Sequence, residues 1–182
     1  ERWSPRVFDA KFIIDEGFLK SILEAARWAP SCFGDQPWKF VIFQKKDALQ
    51  WVNALNCLSV GNQNWAMDTS LLICVCANKK FKHNGNENKW SQYDTGAASE
   101  NICLQSTYLG LAAHQMGGFD SDKIRNLANI PVEFDVMSFI AVGKPLAKKL
   151  MTIEQAEAEG SARKRLKLNE IYFENKWDNF EG

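Results

Sequence analysis

The stretch SLLICVCAN, residues 70–78, limits the fold more than any other segment of the chain. A strand with one face in water alternates apolar and polar residues, whereas this run is apolar at consecutive positions, as in strands covered on both faces. It reads as the centre of a sheet, and something apolar must cover each side. The segment DTGAASENICLQSTYLGLAAHQMGGF, residues 94–119, reads as a long helix suited to that task, predicted from Gly96 to Met116. Ala98, Ile102, Leu109 and Ala113 share one stripe, while Cys103, Leu104 and Leu111 are apolar on other sides. A helix without a polar face is buried or is half of an interface. Gly117 and Gly118 end the pattern, as a C-cap or where a backbone must approach closely.

The remaining elements follow from the same rules. Asp15 is placed to cap a helix in which Leu19, Ile22, Leu23 and Ala26 form one apolar face, and Pro30 ends it. WKFVIFQ, Trp38 to Gln44, reads as a strand, KKDALQWVNALNCL as a helix, SDKIRNLANIP as a short capped helix and VMSFIAVGKP as another strand. After Pro145 the chain turns charged and weakly patterned, then apolar again at Ile171, Tyr172, Phe173 and Trp177. Such a tail has no core of its own and needs a surface, either its own domain or another subunit. No repeat or low-complexity segment interrupts the 182 residues, a length that fits one domain with a real core.

Composition narrows the partners. The 22 basic residues balance the 22 acidic ones, so no overall field draws nucleic acid or an anionic membrane. No apolar run approaches the roughly 20 residues of a membrane span, and no signal-peptide pattern is present. The first residue is not Met and is not read as a native start. The 5 cysteines cannot all pair, there is no C-x-x-C, and His83 and His114 lack metal-ligand spacing to any cysteine. Zinc is therefore not expected, and the usage fits a reducing cytoplasm. Cys57, Cys74, Cys76 and Cys103 read as buried, inert thiols. The 7 tryptophans suit flat pockets or interfaces.

The chain opens ERWSPRVF, with Arg2, Ser4 and Arg6 on alternate residues. In an extended segment these three face one way, and two guanidinium forks with a hydroxyl suit a phosphate or carboxylate. By itself the stretch also fits a solvated basic end. The loop APSCFGDQPW, the pair Gly117-Gly118 and the cluster Arg163-Lys164-Arg165 each have an equally plain reading, as a turn, a helix cap and a charged surface.

Taken together and in order, these segments resemble the flavin-dependent nitroreductase family over nearly the whole chain. The family's R-x-S-x-R opening matches Arg2, Ser4 and Arg6, and its A-P-S-S-x-N-x-Q-P-W loop matches Ala29, Pro30, Ser31, Gln36, Pro37 and Trp38. The D-x-G-x-A start of its central helix matches Asp94, Gly96 and Ala98, and a late [RK]-x-R-x-x-L-x-E pattern matches Arg163, Arg165, Leu168 and Glu170. The resemblance implies that Arg2, Ser4, Arg6, Arg163 and Arg165 grip the phosphate of FMN, with Lys164 turned to solvent. It implies that Pro30, Ser31, Cys32 and the residue at Gly34 line the isoalloxazine ring. Main-chain N–H groups at Gly117 and Gly118 would approach the ring near N5, and Asn62 in GNQNWAMD is a candidate for an amide contact, or else a polar loop residue.

Two positions depart from the pattern. Gly34 stands where the family usually has Asn, so that Asp35 or a backbone group would substitute, and Cys32 replaces the second Ser as a bystander thiol. The fold implied is α+β: a mixed, mainly antiparallel sheet wrapped by helices, in an intertwined homodimer whose sites use both chains. Residues 1–182 would form one domain, with 150–182 as an arm embracing the partner subunit. The activity implied is an FMN-dependent oxidoreductase that takes hydride from NAD(P)H and reduces a small planar electron acceptor, a nitroaromatic, a quinone or similar, in ping-pong fashion, with no side-chain catalyst. Two other readings stay open: reductive dehalogenation or flavin cleavage on the same fold, and a flavin-binding redox sensor without turnover. The segment KKFKHNGNENKWSQYDTG is short and polar where the first of these carries a substrate lid.

Overall fold

The computed structural model describes residues 2–177. Its four strands are β1 (Trp38–Gln44), β2 (Leu71–Asn78), β3 (Ala112–Met116) and β4 (Phe134–Gly143), in the spatial order β1-β2-β4-β3. All pairings are antiparallel, and Ile42, Ile73 and Ile140 lie side by side across β1, β2 and β4. β2 is central, as its composition requires: Leu71 to Val75 and Ala77 are fully buried.

Period-two alternation splits the core into two layers. Leu71, Ile73 and Val75 face a cluster that includes Leu19, Ile22, Ala98, Ile102 and Val142, beneath α1 (Glu16–Arg27) and α4 (Ser91–Tyr108). Leu72, Cys74 and Cys76 face the other side, with Trp51, Trp65, Ile124 and Phe139, beneath α2 (Ala48–Leu55), α3 (Val60–Ala66) and α5 (Ser121–Leu127). Fully burying one such aliphatic side chain stabilises the fold by roughly 1.5–3 kcal/mol. Asp15 caps α1 by accepting from the Phe18 N–H, as its position before the apolar stripe predicts.

The long helix predicted from Gly96 to Met116 is instead a helix and a strand. α4 ends at Tyr108, where Gly110 takes φ 73°, its N–H donates to the Thr107 carbonyl and the Leu111 N–H donates to the Ser106 carbonyl. This paired C-terminal lock needs a left-handed residue, which glycine adopts without the Cβ penalty. Residues 112–116 then turn back into the sheet, so Gly117 and Gly118 follow a strand rather than cap a helix. Two short helices absent from the sequence expectations also appear. α3 carries Asn62, which is thus helical, and α6 (Ile153–Gly160) opens with a reciprocal capping box between Thr152 and Gln155.

Candidate functional site

The amino-terminal segment is tied down along its length. The Asp9 N–H donates to the Lys144 carbonyl at 2.8 Å and the Leu146 N–H to the Val7 carbonyl at 3.1 Å, extending the sheet beyond β4. Phe8 is buried and its ring stacks on Trp65. Before it, the Glu159 carboxylate of α6 accepts from the Arg6 N–H at 2.6 Å, the Val7 N–H at 3.1 Å and Trp3 Nε1 at 3.1 Å. The extended backbone so held borders two cavities, with Trp3 and Val7 lining both. Trp3, Pro5 and Val7 line a mostly apolar cavity of about 380 Å³ with Leu146, Met151 and Ala156. Arg2, Ser4 and Arg6 line a different one, of about 840 Å³.

That larger cavity is also lined by Arg163 and Arg165 from the chain after α6, while Lys164 between them does not line it. Arg163 Nη1 donates to the Arg2 carbonyl at 2.8 Å, so the first and last basic motifs meet although 161 residues separate them. Arg2 lies 3.4 Å from the Glu100 carboxylate on α4 and its Nη1 donates to Ser4 Oγ. The Arg6 guanidinium has no hydrogen bond or ion pair among the described residues. Four guanidinium groups line the cavity with two carboxylates, Glu154 and Glu159; Glu100 pairs with Arg2 from outside the lining, and Glu159 is already occupied by three N–H donors. The surplus of positive charge and donors fits an anion with several oxygens, above all a phosphate.

His114 of β3 lines the same cavity, with its ring stacked on Trp65 at 4.5 Å and Nδ1 2.8 Å from the Pro5 carbonyl. Burial holds its pKa below the ordinary histidine value, opposed by the Pro5 carbonyl and reinforced by Arg6. One turn along α3 from Trp65, Asn62 Nδ2 donates to the Gly118 carbonyl at 3.0 Å. A Cβ at Gly118 would sit 2.7 Å from Ser59 Oγ and 2.8 Å from Asn62 Nδ2, so this residue must be glycine for the three to meet. The N–H groups of Gly117 and Gly118 donate to nothing among the described residues.

Pro30, Ser31, Cys32 and Gly34 do not line the arginine cavity. Their loop is fastened at three points: the Cys32 N–H to Asp94 at the start of α4, the Gln36 N–H to Ser31 Oγ, and Lys82 Nζ to the carbonyls of Asp35 and Gln36. Gly34 has φ 65°, a left-handed backbone that asparagine also tolerates, so glycine keeps the conformation and loses the amide. Asp35 does not replace that amide. It is buried, and its carboxylate accepts from the Lys82 N–H at 2.8 Å and faces Asn88 Nδ2. Phe33 beside it is 82% exposed at φ 54°, with its ring 5.8 Å from Phe81 and 5.4 Å from His83.

Glu159, His114 and Trp3 escape the sequence reading. The T-x-x-Q start of α6 was a readable signal that would have put Glu159 on a helix, but nothing local says what it clamps. Among the described residues no group of three or more His, Cys, Asp or Glu could hold a metal ion, and no helix is long and apolar enough to cross a membrane.

Comparison with known proteins bears on this arrangement. The model of the family described as "Nitroreductase family" matches residues 1–144. A protein of Archaeoglobus fulgidus, whose name pairs NADH dehydrogenase with NAD(P)H nitroreductase, is 31% identical over 152 residues, covering 81% of this chain and 83% of its own. An oxygen-insensitive NADPH nitroreductase of Helicobacter pylori is 25% identical over 183 residues, covering 81% and 86%. Among solved structures, an oxidoreductase containing FMN superposes with a TM-score of 0.88 at 36% identity, over 97% of this chain and 89% of that one.

Proposed function

Because the chain belongs to the nitroreductase family, we propose that it is an FMN-dependent oxidoreductase that takes electrons from NAD(P)H and passes them to a small, flat, electron-poor acceptor. The observation that carries this is the cavity where Arg2, Ser4, Arg6, Arg163 and Arg165 converge with the Arg6 guanidinium unpartnered among the described residues. Those five residues would hold the phosphate. The free N–H groups of Gly117 and Gly118, just beyond the strand that carries His114, and the Asn62 amide on α3 do not line that cavity and would orient the ring beside it. FMN held there would supply the redox chemistry, carrying hydride between nicotinamide and acceptor. The N–H dipoles of Gly117 and Gly118, if set beside the ring, would favour the negative charge that reduction places there.

The loop from Pro30 to Gly34 sits apart from the cavity of its own chain, which supports a site completed by the loop of a second copy. Exposed Tyr93, Leu104 and Tyr108 on α4, and Leu166, Leu168, Ile171 and Trp177 on the arm, are the surfaces such a homodimer would bury. The aromatic group of exposed Phe33 and His83 with half-buried Phe81 then belongs to the acceptor side and favours a flat conjugated substrate. The polar loop 79–90, closed by the Lys80–Glu87 bridge and tied to the ring-lining loop, leaves that side without a long lid, which counts against the dehalogenating and flavin-cleaving readings.

The test is direct. Heat-released flavin from the purified protein should be FMN, and NAD(P)H consumption should depend on an added nitroaromatic or quinone with parallel double-reciprocal plots. FAD, no flavin after reconstitution, or bound flavin without turnover would each refute the proposal, the last in favour of a sensor.

A further inference from the structure

His114 stands in the arginine cavity on a footing unlike that of its neighbours. A carbonyl oxygen only accepts, so the 2.8 Å contact with Pro5 means that Nδ1 carries a proton. Nε2 has no hydrogen-bond partner among the described residues. Nor is it sealed in: among the described residues Thr95 Oγ1 is the only buried side-chain polar atom without a partner. The ring is half-buried, lines the cavity, and lies face-on to Trp65 at 30°. An imidazole in this setting has one nitrogen committed and one unpartnered among the described residues, in a ring that lines the arginine cavity. An indole face also stabilises a cation held against it.

We propose that His114 is a proton-linked ligand for the anion that this cavity takes: protonated at both nitrogens when the anion is bound, it adds an Nε2–H donor to the arginines. Where that anion is the FMN phosphate, the inference rests on the function proposed above. The groups facing His114 account for both states. Arg6 and Arg2 of the amino-terminal segment oppose its charge in the empty cavity, which Arg163, Arg165 and Glu154 also line, while the Pro5 carbonyl and Glu159 of α6 favour it. Burial adds to the penalty, so the empty site keeps the ring neutral further into acid than a free histidine. A doubly charged oxyanion reverses the local balance and draws the proton on. By linkage, each tenfold by which the anion raises proton affinity is a tenfold by which the proton raises anion affinity. Binding is therefore tightest below the pKa of the empty site and weakens as pH rises through the higher pKa of the complex.

The sequence contains 2 histidines, so imidazole NMR of the full chain shows two titrations, and His83→Gln assigns them. Sulfate is the cleaner probe, because its charge stays at two over the whole range whereas a phosphate monoester gains charge near pH 6. Saturating sulfate should raise the His114 pKa by about one unit or more, weaken about tenfold between pH 5 and 8, and become pH-independent in His114→Asn. FMN should raise the same pKa. A His114 titration unmoved by saturating sulfate, or no sulfate binding, overturns the inference. FMN bound, by its fluorescence change, with an unmoved His114 overturns the inference and leaves the flavin reading intact. Sulfate that shifts His114 where FMN does not bind upholds the anion site and refutes the flavin reading.

Discussion

At the scale of single residues, the site depends on a backbone segment aimed by one carboxylate. Glu159 fixes the peptide N–H groups of Arg6 and Val7, and the guanidinium of Arg6 is left to face the cavity with no competing partner among the described residues. Arg6→Ala should therefore cost FMN binding the full value of a charged hydrogen bond, about 1.5–3 kcal/mol or more than tenfold in Kd, read by flavin fluorescence. An unchanged Kd would remove Arg6 from the site. Phe33 presents a different balance. Its left-handed backbone costs roughly 1–2 kcal/mol, and its exposed ring recovers little of this through burial. Strain held without a packing return points to use at the surface. Phe33→Gly relieves the backbone, and the added freedom of the unfolded chain offsets that by roughly 0.5–1 kcal/mol, so the melting temperature should stay within a few degrees. KM for aromatic acceptors should rise severalfold while FMN affinity holds. Equal loss of FMN would place Phe33 in cofactor binding instead.

At the scale of elements, α4 is the least self-sufficient piece. One side packs on α1 and the sheet through Ala98, Ile102 and Cys103, and the other carries Tyr93, Leu104 and Tyr108 to the surface. Leu104→Arg adds a charge where the proposed partner would pack. Desolvating that charge unpaired costs several kcal/mol, enough to dissociate a dimer without harming the monomer core. Sedimentation equilibrium reads the outcome, and an unshifted dimer would mean that α4 is not at the interface. The end of the same helix gives a local test. No atom lies within 4 Å of a Cβ built on Gly110, so Gly110→Ala meets no clash and pays only for its positive φ. The expected cost is about 1–2 kcal/mol, or a few degrees in Tm for a chain of this size. A variant as stable as the parent would mean that the turn relaxes to another conformation.

At the scale of the whole molecule, the two ends of the chain build one cavity, and removing either should empty it. Truncation after Ser161 takes away Arg163, Arg165 and the exposed apolar residues Leu166, Leu168, Ile171 and Trp177, while leaving Glu159 and the amino-terminal clamp. We expect loss of FMN and of the dimer together, by absorbance and sedimentation. A flavin-loaded, soluble monomer would separate cofactor binding from assembly and refute the shared site. Asp178 to Gly182, the last part of the predicted arm, lies outside the described residues.

The residues of the first two strands declare themselves in one dimension. β1 is bounded by Pro37 and a lysine pair, and β2 is apolar at seven successive positions, so no partner need be known to place either. The basic motifs were visible as well, but each alone also fits a solvated surface, and it is the fold that brings Arg2, Arg6, Arg163 and Arg165 to one cavity. The break between α4 and β3 was not visible. Residues 109–116 are apolar enough for either state, and the choice belongs to β4, whose Ala141 and Ile140 offer His114 and Gln115 a ladder. The clamp of Glu159 on Trp3, Arg6 and Val7, and the opening of His114 into the arginine cavity, join parts more than 100 residues apart. Chain chemistry alone says which groups are suited to an anion. Only the folded backbone decides which of them reach the same one, since a hydrogen bond acts over about 3 Å of space and not along the sequence.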